Sequence, residues 1–202
     1  MKSLIILGAS GHGKVVADIA KKNGYTDIAF LDDKYGLTVC DGYPVQGKCS
    51  RFSDYDCDMI IAIGNAEVRQ RFQEKLESAG KNIPVLIHPN AVIDDSVEIG
   101  RGSVIMAGTV INAGSKIGKG CIINTCASVD HDCVLENYVH VSVDAHLAGT
   151  VSVGKRTWIG IGAVVSNNLV ITADCMIGAG AVVVNNIWEQ GTYVGVPAKR
   201  LL

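Results

Sequence analysis

Aliphatic residues recur at every sixth position across the C-terminal half of the chain. From Ile93 the steps fall on Ile99, Ile105, Ile111, Ile117, Ile123, Val129, Leu135, Val141, Leu147, Val153, Ile159, Val165, Ile171, Ile177 and Val183, with no slip of phase. About a third of the segment is Ile, Leu or Val, so chance gives such a run with a probability of roughly 10^-7. Four residues after most of these positions stands a small residue, as at Ser103, Thr109, Ser115, Cys121, Ala127 and Cys133. A period of six fits neither an amphipathic helix nor a hairpin array. It fits a solenoid of short strands that turns a corner every six residues, aliphatic side chain inward, small side chain beneath the corner. The Gly-X-Gly triplets at 100–102, 118–120 and 178–180 supply permissive turn backbone. Three faces close one coil, so residues 18 apart stack. The run predicts a little over five coils, roughly 25 Å tall at about 4.8 Å per coil. Residues 186–202 leave the repeat and are expected to cap it.

The N-terminal half has a different pattern. Lys2–Leu7 reads as a buried strand, followed by Gly8-Ala9-Ser10-Gly11-His12-Gly13 as a glycine-rich turn. Lys14–Asn23 carries Val15, Val16, Ile19 and Ala20 on one helical face, with Gly24 as a stop. Ile28–Leu31 predicts a second strand ending at Asp32-Asp33, and Asp58–Ile63 a third ending at Gly64-Asn65. Glu67–Ser78 reads as a second helix, and Val85–Ile87 as a fourth strand that stops at His88-Pro89. This order predicts a Rossmann-like α/β domain with a small parallel sheet over 1–88, followed by the parallel β-helix with its cap over 89–202.

Composition removes several function classes. The formal charge of −2 argues against nucleic acid and against a polybasic membrane anchor. No apolar run approaches the roughly 20 residues of a membrane span. The apolar run that ends at Gly8 is too short for a secretion signal, and the seven cysteines are odd in number with no CxxC. A cytoplasmic protein with reduced thiols is the expectation, and no metal is expected.

Ligands of parallel sheets bind at the carboxyl ends of the strands. Gly8–Gly13, Asp32-Asp33 and Gly64-Asn65 all fall there. Free N–H groups at the helix start suit a phosphate, and a carboxylate after the second strand suits ribose or base groups. Ser10 and His12 can add side-chain hydrogen bonds. The GxxGxG spacing by itself is weak, since such a turn is often only a tight connection. In the repeat, His131 lies two residues past an inward position, near a corner, with Asp130 and Asp132 on either side. A carboxylate that accepts from one imidazole nitrogen raises basicity at the other. Gly149 lies 18 residues on and leaves room and a backbone N–H above the imidazole, where a developing oxyanion can be held. On pattern alone His131 reads more readily as a surface corner histidine. His140 and His146 are six apart and occupy successive faces; they meet nothing of each other within one chain, but can line a seam in a threefold assembly.

Nearly the whole chain resembles one subfamily of the hexapeptide-repeat acyltransferases, the amino-sugar N-acetyltransferases of bacillosamine-type pathways, with the sialic acid O-acetyltransferases close by. The resemblance rests on GASGHG at 8–13, FLDD at 30–33, AIGN at 62–65 with Glu67 and Arg69, the hexads, HDC at 131–133, HVSVDA at 140–145 and GVPAKR at 195–200. It implies a left-handed β-helix and a homotrimer with acetyl-CoA between neighbouring prisms. It implies His131 as general base tuned by Asp132, and Asn124 lining the site. His140, Gly149, Ile161 and Ala179 match coenzyme contacts, and Lys199, in the closing motif, lies near the coenzyme channel. Ser10, Gly11, His12, Asp32, Asp33 and Gly64 match a nucleotide-sugar pocket. The expected reaction is direct acetyl transfer to the 4-amino group of a UDP-linked 4-amino-4,6-dideoxy sugar. A GDP-linked amino sugar and O-acetylation of sialic acid are the alternatives, and a zinc β-helix carbonic anhydrase using His131, His140 and His146 is the rival from another class. Cys133 at an inward position argues against a covalent cysteine route.

Overall fold

The computed structural model describes residues 2–201 and divides into two compact units between Pro89 and Asn90. The first unit is built on three parallel strands in the order Asp27–Leu31, Ser3–Leu7, Asp58–Ile61. All three are apolar because both faces of the sheet are covered. Helix α1 (Gly11–Lys22) buries Val16, Ala17, Ile19 and Ala20, and helix α2 (Ala66–Ser78) buries Phe72 and Leu76. Asn65 caps α2, its side chain accepting the Val68 N–H at 3.0 Å.

Two expectations need correction here. Helix α1 begins at Gly11 rather than Lys14, because its first turn passes so close to the strand end that a Cβ at Gly13 would stand 2.2 Å from the Gly8 carbonyl oxygen. The sheet has three strands rather than four. Leu86–Ile87 is a strand outside it, with Ile87 tied at both backbone groups to Asn23 beyond the end of α1. Residues 32–57 hold a small hairpin, Val39–Cys40 with Tyr43–Pro44, and a 3-10 turn at Cys49–Asp54 that the pattern did not reveal.

The second unit is a parallel β-solenoid with three faces. Strands starting at Val92, Val110, Ser128, His146, Val164 and Val182 form the first face; those at Glu98, Lys116, Val134, Ser152 and Val170 form the second. Val104, Ile122, His140, Trp158 and Met176 start strands of the third. Pairing runs at an offset of 18, as in Ile122 with His140 and His140 with Trp158. From Ile105 to Val183 every hexad aliphatic is buried, and these side chains from the three faces are the backbone of the core. Small residues such as Ser103, Thr109, Ser115, Ala127 and Cys133 are buried beneath the corners. Each corner from Gly102 to Gly180 places one residue in the left-handed region, at steps of six and with φ between 54° and 76°. Six of these positions are glycine; the others include Cys126, Asp132, Thr150 and Asn168.

Residues 186–201 leave the hexad pattern, as expected, while the coil itself continues. Thr192–Val194 pairs parallel with the strand at Met176, at an offset of 16 instead of 18. Lys199–Arg200 then folds back antiparallel against it, and Arg200 pairs with Glu189 at 2.8 Å.

Candidate functional site

In the first unit, a cleft of about 330 Å³ lies at the carboxyl ends of the strands. Ser10, Asp32, Asp33 and Gly64 line it, and so does Arg71 of α2, which the sequence reading did not single out. Asp32 accepts the Ala9 N–H at 2.7 Å and the Lys34 N–H at 2.7 Å, and Asp33 accepts the Cys49 N–H at 2.9 Å. These carboxylates therefore fix the rim loops as well as facing the cleft. The glycines divide by cause. Gly8 has φ +110° and a Cβ there would meet the Ala62 carbonyl oxygen at 2.7 Å; Gly13 is required by its contact with Gly8. Gly11 has nothing within 4 Å of a Cβ, so packing inside the chain does not demand a glycine there. Ser10 precedes the helix without capping it through its side chain, and the first turn carries no acidic residue, which leaves its N–H groups suited to an anion.

His12 is not among the residues lining this cleft. Its Nε2 is shut off from solvent without a hydrogen-bond partner among the described residues. Burial, with the Arg69 charge as a second cause, holds its pKa down at about 4. Arg69 is itself buried and donates to the carbonyls of Ile63 and Gly64, both at 2.8 Å.

In the solenoid, His131 and Asp132 sit at the corner between the first and second faces. Both side chains are more than half exposed, and His131 Nδ1 lies 2.8 Å from Asp132 Oδ2. That hydrogen bond is the main cause of the raised His131 pKa, with the charge of Asp130 a lesser one. Asp130 bonds elsewhere: its Oδ1 accepts the His131 N–H and the Asn112 Nδ2 donor, each at 2.8 Å. The partner of the imidazole is thus Asp132. Its backbone lies at φ 57°, a conformation costly for a residue with a Cβ. One coil on, His131 Nε2 overlies Gly149 so closely that a Cβ there would stand 2.5 Å away. The Gly149 carbonyl accepts the Asn168 N–H at 3.0 Å, whereas its own N–H has no partner among the described residues.

The third face carries a second cluster. Asn124 Oδ1 accepts the Thr125 N–H at 2.8 Å, which turns its Nδ2 toward His140 Nε2 at 3.1 Å. With Nε2 accepting, the His140 proton belongs on Nδ1. The His140 ring stacks on Trp158, centroids 4.9 Å apart and planes at 24°, and Trp158 Nε1 donates to Ser142 Oγ at 3.1 Å. Trp158 was missed by the sequence reading, although it lies 18 residues after His140 in the same register. Ile161 and Ala179 are exposed at the corner between the third and first faces, and Lys199 is exposed beyond them in the chain. His146 faces Ser128 Oγ at 2.9 Å on the first face.

One prism therefore does not bring the expected coenzyme residues together. His131 and Gly149 occupy one corner, Ile161 and Ala179 another, and a face of six residues at about 3.3 Å each separates corners by roughly 20 Å. His131, His140 and His146 do not gather either, and no group of metal-ligating residues exists among the described residues. Cys133 is buried, donates to the Ala148 carbonyl at 3.2 Å, and has its thiol pKa raised by burial, the reverse of an activated nucleophile. Among the described residues no helix is long and apolar enough to cross a membrane.

Comparison with known proteins gives this geometry a family. A family model described as the PglD N-terminal domain matches residues 3–76. UDP-N-acetylbacillosamine N-acetyltransferase of Bacillus subtilis is 38% identical over 113 residues, 53% of this chain and 52% of that protein, so the match spans about half of each. The acetyltransferase domain of PglB from Neisseria gonorrhoeae is 41% identical, covers 100% of both chains and superposes with a TM-score of 0.96; it is also known in complex with acetyl coenzyme A. PerB from Caulobacter crescentus, solved with CoA and GDP-perosamine, is 38% identical over 100% of this chain and 98% of that one, with a TM-score of 0.93. On these full-length matches, the chain belongs to the acetyl-CoA-dependent sugar N-acetyltransferases of the PglB and PglD type.

Proposed function

We propose that this protein transfers the acetyl group of acetyl-CoA to the 4-amino group of a UDP-linked 4-amino-4,6-dideoxy sugar. The observation that carries the reading is the His131 imidazole, held at Nδ1 by Asp132 and lying with its other nitrogen over the bare backbone of Gly149. His131 Nε2 takes the proton from the amine as its nitrogen attacks the thioester carbonyl. The free Gly149 N–H stabilises the oxyanion of the tetrahedral intermediate. The carbon–sulfur bond then breaks, and the thiolate recovers the proton from the imidazolium. Asp132 makes His131 the stronger base, and no acyl-enzyme forms. Asn124 and His140 hold the thioester end of the coenzyme; Ile161, Ala179 and Lys199 hold the rest of it.

Because these residues belong to separate corners of one prism, the coenzyme lies between copies of the chain, in a homotrimer. The first unit binds the nucleotide. Its diphosphate meets the N–H groups of α1 at Ser10 and Gly11, where the glycine has no internal packing duty. Asp32, Asp33 and Gly64 line the remainder of that pocket, while His12, neutral in the first turn of α1, stands outside its lining. The domain boundary follows this division of labour, nucleotide sugar before residue 89 and acetyl-CoA after it.

A GDP-linked amino sugar is the second reading, favoured by the GDP-perosamine bound in the Caulobacter relative. Thiol release from acetyl-CoA, measured against UDP-linked and GDP-linked 4-amino sugars and free sialic acid, separates the readings. The UDP-4-amino sugar is expected to give the highest kcat/KM. Preference for the GDP sugar selects the second reading, and turnover with sialic acid alone overturns both.

A further inference from the structure

We propose that Asn112 is a positioning residue for the transfer reaction, acting on His131 through Asp130; this rests on the reading of His131 as general base. Both side chains of the His131–Asp132 pair are more than half exposed, so packing within the chain does little to fix where the imidazole points. Three of the backbone polar groups of the pair have identified partners. The Thr150 N–H donates to the His131 carbonyl at 2.8 Å, and the Asp132 N–H donates to the Ala113 carbonyl at 2.9 Å. The remaining group, the His131 N–H, has a side chain as its acceptor. Asp130 Oδ1 takes that N–H at 2.8 Å and, on the same atom, the Nδ2 donor of Asn112 one coil below, also at 2.8 Å.

Asn112 is therefore the outer anchor of a two-bond chain, Asn112 to Asp130 to the His131 amide, that crosses from one coil to the next. Without it, Asp130 keeps its charge but loses the donor that fixes its rotamer, and the 130–131 peptide is held only at its carbonyl, by Ser115 Oγ at 2.7 Å, so its N–H end can tilt. The corner is also narrow. A Cβ at Gly114 would meet Asp132 Oδ1 at 2.6 Å, and one at Gly149 would meet His131 Nε2 at 2.5 Å, so the pair sits between two bare stretches of backbone. A small tilt of the His131 peptide displaces the reactive nitrogen relative to Gly149. Asn112 itself is exposed and lines a groove with Val92, Asp94 and Asp95 that holds none of the residues assigned above to either substrate, so its role is in orientation.

The test is steady-state kinetics on five variants, with His131→Ala beside them. Asn112→Ala is expected to lower kcat by about tenfold, the scale of a modest misplacement, with both KM values unchanged within about twofold. Asn112→Asp, the same shape without the donor, is expected to lose at least as much. Asp130→Asn keeps an oxygen that can accept both N–H groups and is expected to recover most of the rate lost in Asp130→Ala. The double variant Asn112→Ala/Asp130→Ala is expected to be no slower than Asp130→Ala, since both substitutions cut one chain. Full kcat in Asn112→Ala, losses that multiply in the double variant, or a defect confined to KM would each overturn the proposal. If His131→Ala is slow while Asn112→Ala is unaffected, only this inference fails. If His131→Ala turns over normally, the base assignment fails with it.

Discussion

Gly149 offers a sharp test because its missing side chain is explained by one contact. A Cβ there would stand 2.5 Å from His131 Nε2, 2.7 Å from Cε1 and 3.1 Å from Cδ2. Relaxed contacts between such atoms begin near 3.5 Å, so in Gly149→Ala the imidazole must retreat by about 1 Å. A displacement of about 1 Å at a reacting group costs on the order of 10^2-fold in rate. The obstacle is the end of an exposed side chain and not backbone, and Gly149 is not in the left-handed region. Stability should therefore change by less than about 1 kcal/mol, or about 2–4 °C in Tm. Gly100→Ala is the contrasting control. Its Cβ would stand 2.5 Å from the Lys119 nitrogen and 2.6 Å from the Gly118 carbonyl carbon, both backbone of the next coil. That variant should lose about 1–3 kcal/mol of stability. Thiol release at saturating acetyl-CoA and sugar, with thermal melts in parallel, reads both quantities. Wild-type kcat in Gly149→Ala, or a Tm drop as large as that of Gly100→Ala, would refute the placement of the base over Gly149.

Other expectations follow from the electrostatics. Asp132 raises the His131 pKa, and the base works deprotonated, so the acid limb of kcat/KM lies above the ordinary imidazole value. In Asp132→Asn the limb should move to lower pH and the plateau should fall by about tenfold; a limb that stays in place would assign it to another group. His12 is held neutral, with a pKa near 4 against 6.5 unfolded. Its contribution to stability is therefore present above pH 6.5 and is lost as pH falls toward 4, by about 3 kcal/mol at most. Urea midpoints at pH 7 and pH 4.5 should differ less in His12→Gln than in the parent, and an unchanged difference would contradict the assignment. Asp32→Ala should raise KM for the nucleotide sugar by about tenfold or more, the scale of hydrogen bonds to a charged group, and leave that for acetyl-CoA unchanged. Equal rises for both would count against the separation of the two binding sites.

The solenoid was legible because each hexad aliphatic is the interior of its own strand, so period and burial coincide. The spacing of 18 also gave the stacking of His131 on Gly149, since residues in register on adjacent coils lie one strand spacing apart. The corner conformation was less legible. Glycine triplets pointed to three turns, but closure of each coil imposes a left-handed residue every six positions, whatever the side chain, as at Asp132 and Thr150. The last coil was hidden because its offset falls to 16, which breaks the hexad without breaking the parallel pairing. The start of α1 was misread because Gly11 and Gly13 are poor helix formers on propensity, and close packing against Gly8 overrides that preference. Arg71 and Trp158 went unnoticed for different reasons. Arg71 reads as a solvated charge on a polar helix face, and Trp158 was visible only by following His140 one coil further.

The turnover number of His131→Ala, measured with acetyl-CoA affinity determined on the same protein, bears most directly on the transfer chemistry. Loss of about 10^2-fold or more in kcat with acetyl-CoA binding retained is the result expected of removing a general base. Turnover equal to that of the parent protein would show that this imidazole does not move the proton.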